Sequence, residues 1–100
     1  MPRPDASDDI AAIRAIVRGR VQGLGFRDHV ERRARFLRLT GYVRNLQDMR
    51  SVEIIAEGPR AALERLIEHL REGPRMSRVD ALDIEWRVPT GDYADFGTAF

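Results

Sequence analysis

One hundred residues, 43% hydrophobic and 33% charged, suffice for one packed domain, are too few for two, and exclude both a disordered chain and a membrane-spanning one. Seventeen arginines, no lysine and sixteen acids leave a net charge of +1, which denies the strong basic field of a dedicated nucleic-acid domain. Zero cysteines exclude disulfides, thiolate metal sites and a cysteine nucleophile. His29 and His69 lack ligand spacing and read as surface helix residues, so no metal is expected.

Residues 1–10, MPRPDASDDI, are rich in proline, aspartate and serine and read as a disordered lead to a single domain at 11–100. The lead carries acids and no apolar core where a secretion signal would need the reverse, so a cytoplasmic protein is expected. The first strand begins near Ile13, with Ile13, Ala15 and Val17 on one face. It runs into GRVQGLGFR at 19–27, three glycines between a strand and a helix. Such a turn suits an anion, because glycines let successive N–H groups converge, the helix N-terminus adds orphan donors, and Arg27 supplies a fork of donors. The same stretch also reads as a plain glycine-rich connection followed by a surface arginine.

From Phe26 the period changes to that of a helix. Phe26, Val30, Ala34 and Leu37 form an apolar stripe of about three turns. Arg32, Arg35 and Arg38 lie on the opposite face, which reads as a solvated surface. Thr40-Gly41 precede a short strand, Tyr42 to Asn45, and Leu46 to Arg50 connect it to a second alternating run carrying Val52, Ile54 and Ala56. Together these make a hairpin. Gly58-Pro59 opens a second helix with Leu63, Leu66, Ile67 and Leu70 as its buried stripe, and Gly73-Pro74 stops it with a left-handed cap. A last strand runs from about Val79 to Val88, with Leu82, Ile84, Trp86 and Val88 on one face, and a short edge strand follows within Gly91 to Phe100.

The order β-α-β-β-α-β implies an α+β fold of the ferredoxin-like, split βαβ type: an antiparallel sheet with two helices on one face. The third strand then lies between the first and second, which brings the end of the second strand to the glycine loop. Competing motifs fail. GLGFRD at 23–28 starts like a dinucleotide fingerprint but ends on Asp28, and no G-K-[ST] is present. GLGF echoes an RNA-recognition signature, but it precedes the first helix and lacks the stacking aromatics. No serine–histidine–carboxylate set is apparent. What remains is Arg27, the loop amides and Asn45, whose amide has the donors and acceptor to hold a water; the alternative for Asn45 is a turn residue at a hairpin entrance.

GRVQGLGFR at 19–27 and TGYVRN at 40–45 closely resemble the two signatures of the acylphosphatases, and the similarity runs from about Ile13 to Phe96. The resemblance implies a small cytoplasmic enzyme without metal or cofactor that hydrolyses small acyl phosphates; from charge and composition no nucleic-acid or membrane partner is expected, and a monomer is the default. It also implies that the amides of Val21, Gln22, Gly23, Leu24, Gly25 and Phe26 bind the phosphate together with Arg27, and that Asn45 orients the attacking water. Four departures stand out, one being the closing FGTAF, whose strand character is weaker than that of the family's usual tail. Arg38 replaces the glycine that usually ends the first helix, so a left-handed non-glycine residue costing about 1 kcal/mol is expected there. The hairpin after Asn45, NLQDMRSVE, is one residue longer than the usual aspartate–glycine turn. Asp28 places a negative charge beside the anion loop. The alternative reading is a non-catalytic anion- or RNA-binding module that keeps the cradle without productive water geometry.

Overall fold

The structure, a computed structural model, describes residues 9–23 and 25–99. Most of the expected lead (1–8), Leu24 of the glycine loop and Phe100 lie outside the described residues. The elements are β1 (Ile10–Arg20), α1 (Phe26–Phe36), β2 (Thr40–Asn45), β3 (Ser51–Pro59), α2 (Arg60–Glu72), β4 (Arg78–Arg87) and β5 (Phe96–Thr98). β1 starts at Ile10, three residues before the expected Ile13, because Ile10 to Ala12 continue the ladder against Glu57 to Pro59 of β3. The end of the lead is therefore part of the sheet, and Asp9 accepts a 2.8 Å hydrogen bond from the Arg60 amide.

The sheet order is β4-β1-β3-β2-β5. The third strand does lie between the first and second. β1 to β4 form an antiparallel sheet, but β5 pairs parallel with β2, Tyr42 opposite Gly97, so the sheet is mixed rather than wholly antiparallel. The reason is directional: β4 runs as β3 does, the chain reverses after it, and it arrives at the far edge running as β2 does. Residues 88–95 carry it across.

Both helices cover one face. Phe26, Val30 and Ala34 of α1 and Leu63, Leu66 and Leu70 of α2 meet Ile13, Ala15 and Val17 of β1 and Val52, Ile54 and Ala56 of β3, all 1% exposed or less. Each leucine contributes on the order of 2 kcal/mol by leaving water, and that burial, more than propensity, holds helices this short. Leu37 falls one residue beyond α1 and is only partly buried. Pro59 sits at the N-cap of α2 rather than inside its first turn. Gly73 has φ 65° and ψ 176°, a positive φ with an extended ψ, so the stop at Gly73-Pro74 is not the left-handed cap that the sequence predicts. Val88 lies beyond β4 and is 85% exposed, so the apolar face of that strand ends at Trp86.

The other face of the sheet is polar but not open at β3, where Ser51, Glu53 and Glu57 are buried. Glu53 takes Arg14 at 2.7 Å, Arg44 at 2.6 Å and the Tyr42 hydroxyl at 3.2 Å. Burial pushes the Glu53 carboxyl up, but the two guanidinium groups outweigh it and hold it below the ordinary value. Glu57 accepts from the amides of Thr90 and Gly91 and from the Thr90 hydroxyl, each at 2.9 Å, which fastens the crossing segment to the sheet.

Candidate active site

The glycine loop is fixed at both ends by apolar anchors. Val21 and Phe26 are each 1% exposed, so the chain between them loops outward from a rigid base. Gly23 and Gly25 adopt φ 77° and 75°, a region other residues enter at a cost of about 1 kcal/mol or more. A Cβ at either would meet nothing within 4 Å, so conformation and not crowding calls for glycine there. Gly25 is the N-cap of α1, and no side chain caps that helix end. An uncapped helix N-terminus, with its dipole, favours an anion.

Gly23, Gly25, Phe26, Arg27, Asp28 and Thr98 line a recess of about 230 Å³, room for a phosphoryl group. Arg27 is partly buried at its edge. Asp28, inside the first turn, pairs with Arg32 at 3.1 Å, and that partner draws its charge away from the recess. Thr98 was not singled out by its sequence. It reaches the site because β5 lies parallel to β2, and its hydroxyl donates 2.7 Å to Glu31 of α1, which ties the far edge of the sheet to the helix that carries Arg27. Only a non-local pairing could have revealed it.

Asn45 closes β2. It shares a face with Val43, the face covered by the helices. Its neighbour Leu46 is joined to the loop directly: the Gln22 side-chain amide donates to the Leu46 carbonyl at 3.0 Å and to the Ser51 carbonyl at 2.8 Å. The side chain of Gln22 thus clamps both ends of the hairpin, a role that its place in the anion loop did not suggest. The longer hairpin is well closed. Leu46 N donates to Ser51 O at 2.9 Å, Asp48 accepts from the amides of Arg50 and Ser51 at 2.9 and 2.8 Å, and Met49 takes the positive φ of 65° that glycine usually supplies. The Ser51 hydroxyl bond, then the Arg50 amide, holds Asp48 below the usual carboxylate range.

Among the described residues, Asn45 Oδ1 is the buried side-chain polar atom without a hydrogen-bond partner. Such an atom costs about 1–3 kcal/mol, and retaining it calls for an explanation such as a bound water or a catalytic role. The two histidines do meet, across α1 and α2, with ring centroids 6.4 Å apart at 84°, and both are partly buried rather than at the surface. They are structural neighbours across the two helices. Among the described residues no cluster of three or more histidines and carboxylates is placed to hold a metal ion, and no helix is long and apolar enough to cross a membrane.

The sequence and the fold have known relatives. The family model described as Acylphosphatase matches residues 13–98. An acylphosphatase of Thermus thermophilus is 48% identical over 77 residues, covering 77% of this chain and 86% of the relative. One of Salinibacter ruber is 54% identical over 74 residues, covering 74% of this chain and 77% of the relative. The crystal structure of the acylphosphatase from Bacillus subtilis superposes with a TM-score of 0.86 at 36% identity, covering 90% of this chain and 99% of that one. With the family model spanning both the glycine loop and the strand that ends in Asn45, the chain belongs to the acylphosphatase family.

Proposed function

We propose that the protein hydrolyses the carboxyl–phosphate bond of small acyl phosphates, giving carboxylate and inorganic phosphate without a covalent intermediate. The observation that carries this reading is the buried, unpartnered Asn45 Oδ1, next in the chain to Leu46, whose carbonyl accepts from the Gln22 side chain of the glycine loop. The amides from Val21 to Phe26, Leu24 included, and Arg27 grip the phosphoryl oxygens. Asn45 accepts a hydrogen bond from one water and aims its free lone pair at phosphorus. The water oxygen bonds to phosphorus, the bond to the acyl oxygen breaks, and the carboxylate leaves with its electron pair. A phosphoryl oxygen takes the proton released by the water. The carboxylate is a good leaving group, so positioning and charge stabilisation supply most of what the step needs.

Asn45→Ala should leave phosphate affinity unchanged while lowering kcat for benzoyl phosphate by on the order of 10². Arg27→Ala should lose both phosphate affinity and turnover. Full turnover in the Asn45 variant overturns the assignment. The closed hairpin and the open Oδ1 favour catalysis over a cradle that only binds. The near-neutral charge supports a protein that does not need nucleic acid, and a solution mass of 11.4 kDa by sedimentation would identify a monomer.

A further inference from the structure

A second recess lies on the other flank of the glycine loop. Gly23 and Gly25 to Asp28, with Thr98, line the first, whereas Gly19 to Gln22 line this one, together with Met49, Arg50 and Arg78, and it measures about 440 Å³. Its three arginines come from three elements: Arg20 ends β1, Arg50 lies in the hairpin and Arg78 begins β4. Their backbones are locked together. The Gly19 amide donates to the Arg50 carbonyl at 3.0 Å, Arg20 pairs with Arg78, and β1 shifts register between Arg18 and Gly19. At Gly19 the chains approach so closely that a Cβ would collide with the Arg78 carbonyl. The floor is therefore rigid backbone, and the three guanidinium groups project from fixed points.

The charge here is not balanced. Asp80 serves both Arg78, at 2.9 Å, and Arg50, at 3.7 Å, and among the described residues no carboxylate lies within ion-pair reach of Arg20. The nearby Asp48 is turned into the hairpin, where its oxygens accept from Arg50 N, Ser51 N and the Ser51 hydroxyl. Arg18, Arg20, Arg50 and Arg78 against Asp48 and Asp80 leave a local surplus of two positive charges, in a chain whose net charge is only +1. Three arginines lining one concavity, two of them sharing the single carboxylate of Asp80, suit a tetrahedral dianion, which guanidinium groups bind with paired donors.

We propose that this recess is a second phosphate-group site, on the opposite flank of the loop from the recess at Arg27 and bordering the cradle at Val21 and Gln22. Two sources share that chemistry: free inorganic phosphate, and a far phosphate on the carbon chain of an acyl phosphate substrate. The second source rests on the hydrolase reading above, and the first does not.

Titration of the wild-type protein with inorganic phosphate at constant ionic strength, followed in 1H–15N spectra, separates the two recesses. The amides of Gly25 and Phe26 report the cradle, and those of Gly19, Arg50 and Arg78 report the second site. Both groups should shift and saturate, each with its own affinity. In an Arg20→Gln/Arg50→Gln double variant the second group should weaken at least tenfold while the first is unchanged. Both residues are exposed and a thermal melt verifies the fold. Saturable shifts confined to the cradle amides, or shifts at Gly19 and Arg78 that persist in the double variant, overturn the proposal. Kinetics then assign the source. With a substrate whose carbon chain ends in a second phosphate, a roughly tenfold higher KM in the double variant beside an unchanged KM for benzoyl phosphate identifies the far phosphate as occupant. Unchanged KM for both, with the titration still losing its second site, identifies free phosphate. If the wild type turns over neither substrate, the hydrolase reading fails while the titration still decides the site.

Discussion

Two non-glycine residues stand at positive φ, Arg38 at 60° and Met49 at 65°. Arg38 follows α1 where the chain must reverse direction into β2, and its amide donates to Arg35 at 3.0 Å. Its left-handed conformation is the one expected from the sequence, since a helix stop without glycine still needs that backbone geometry. Arg38→Gly should raise stability by about 0.5–1 kcal/mol, the gain from relieved strain exceeding the entropy of a looser unfolded chain. Urea unfolding at neutral pH measures it, and an unchanged or lower midpoint would contradict the strain argument. Asp28 acts at the same scale. It lines the phosphate recess but is largely solvated and paired with Arg32, so its repulsion of an anion is partly screened. Asp28→Asn should lower the phosphate inhibition constant by only about two- to fivefold, the equivalent of less than 1 kcal/mol. A larger change would mean that the Arg32 pair does not shield the site.

At the scale of elements, the site depends on how the hairpin and the crossing segment are fastened. Gln22 donates both amide hydrogens to hairpin carbonyls, so Gln22→Ala leaves Leu46 O and Ser51 O without that partner and frees the turn beside Asn45. Its kcat should fall about tenfold or more with little change in phosphate affinity, because the loop amides are untouched while the water is aimed less well. Faster amide exchange at Leu46 and Met49 would tie that loss to the hairpin, and equal losses in binding and turnover would instead place Gln22 in the cradle. The crossing segment 88–95 is fastened by Glu57, through the amides of Thr90 and Gly91. It delivers β5, whose Thr98 reaches Glu31 and whose Phe96 carbonyl accepts from Arg35 at 2.8 Å. A carboxylate under β3 thus contributes to the position of α1, and with it Arg27.

For the whole molecule, the buried carboxylates set the acid limit of stability. Burial raises Glu53 and Glu57, but arginines in one case and backbone amides in the other pull both below the ordinary 4.5. A carboxyl whose pKa is depressed by folding adds stability that is fully present above the unfolded value and is lost as pH falls through the folded one. His29 has the same sign. Burial first, then Arg33 and His69, lowers it from 6.5, so its contribution is present above 6.5 and declines as pH falls. Unfolding free energy should therefore soften below about pH 6.5 and drop more steeply below about 4.5. A His29→Gln variant should lack the first decline and keep the second, and a wild-type profile flat from pH 7 to 5 would contradict the histidine assignment. Much of this molecule was legible in one dimension. The stripes of Phe26, Val30 and Ala34 and of Leu63, Leu66 and Leu70, the strand alternation around Ile13 and Ile54, and the glycine–proline stops follow from periods and backbone sterics that act over a few residues. Those local rules marked the glycine loop and Arg27 as suited to an anion, the resemblance to the acylphosphatases gave Asn45 its expected role, and the β-α-β-β-α-β order pointed to β3 lying between β1 and β2. The sequence could not announce the parallel β5, the Thr98–Glu31 bond, the two carbonyls under Gln22, the meeting of His29 with His69, or the three arginines around Gly19. Each joins residues far apart in the chain, so none leaves a periodic trace. The orphaned Asn45 oxygen belongs with them: an asparagine becomes unpartnered only when the tertiary structure buries it without supplying a donor.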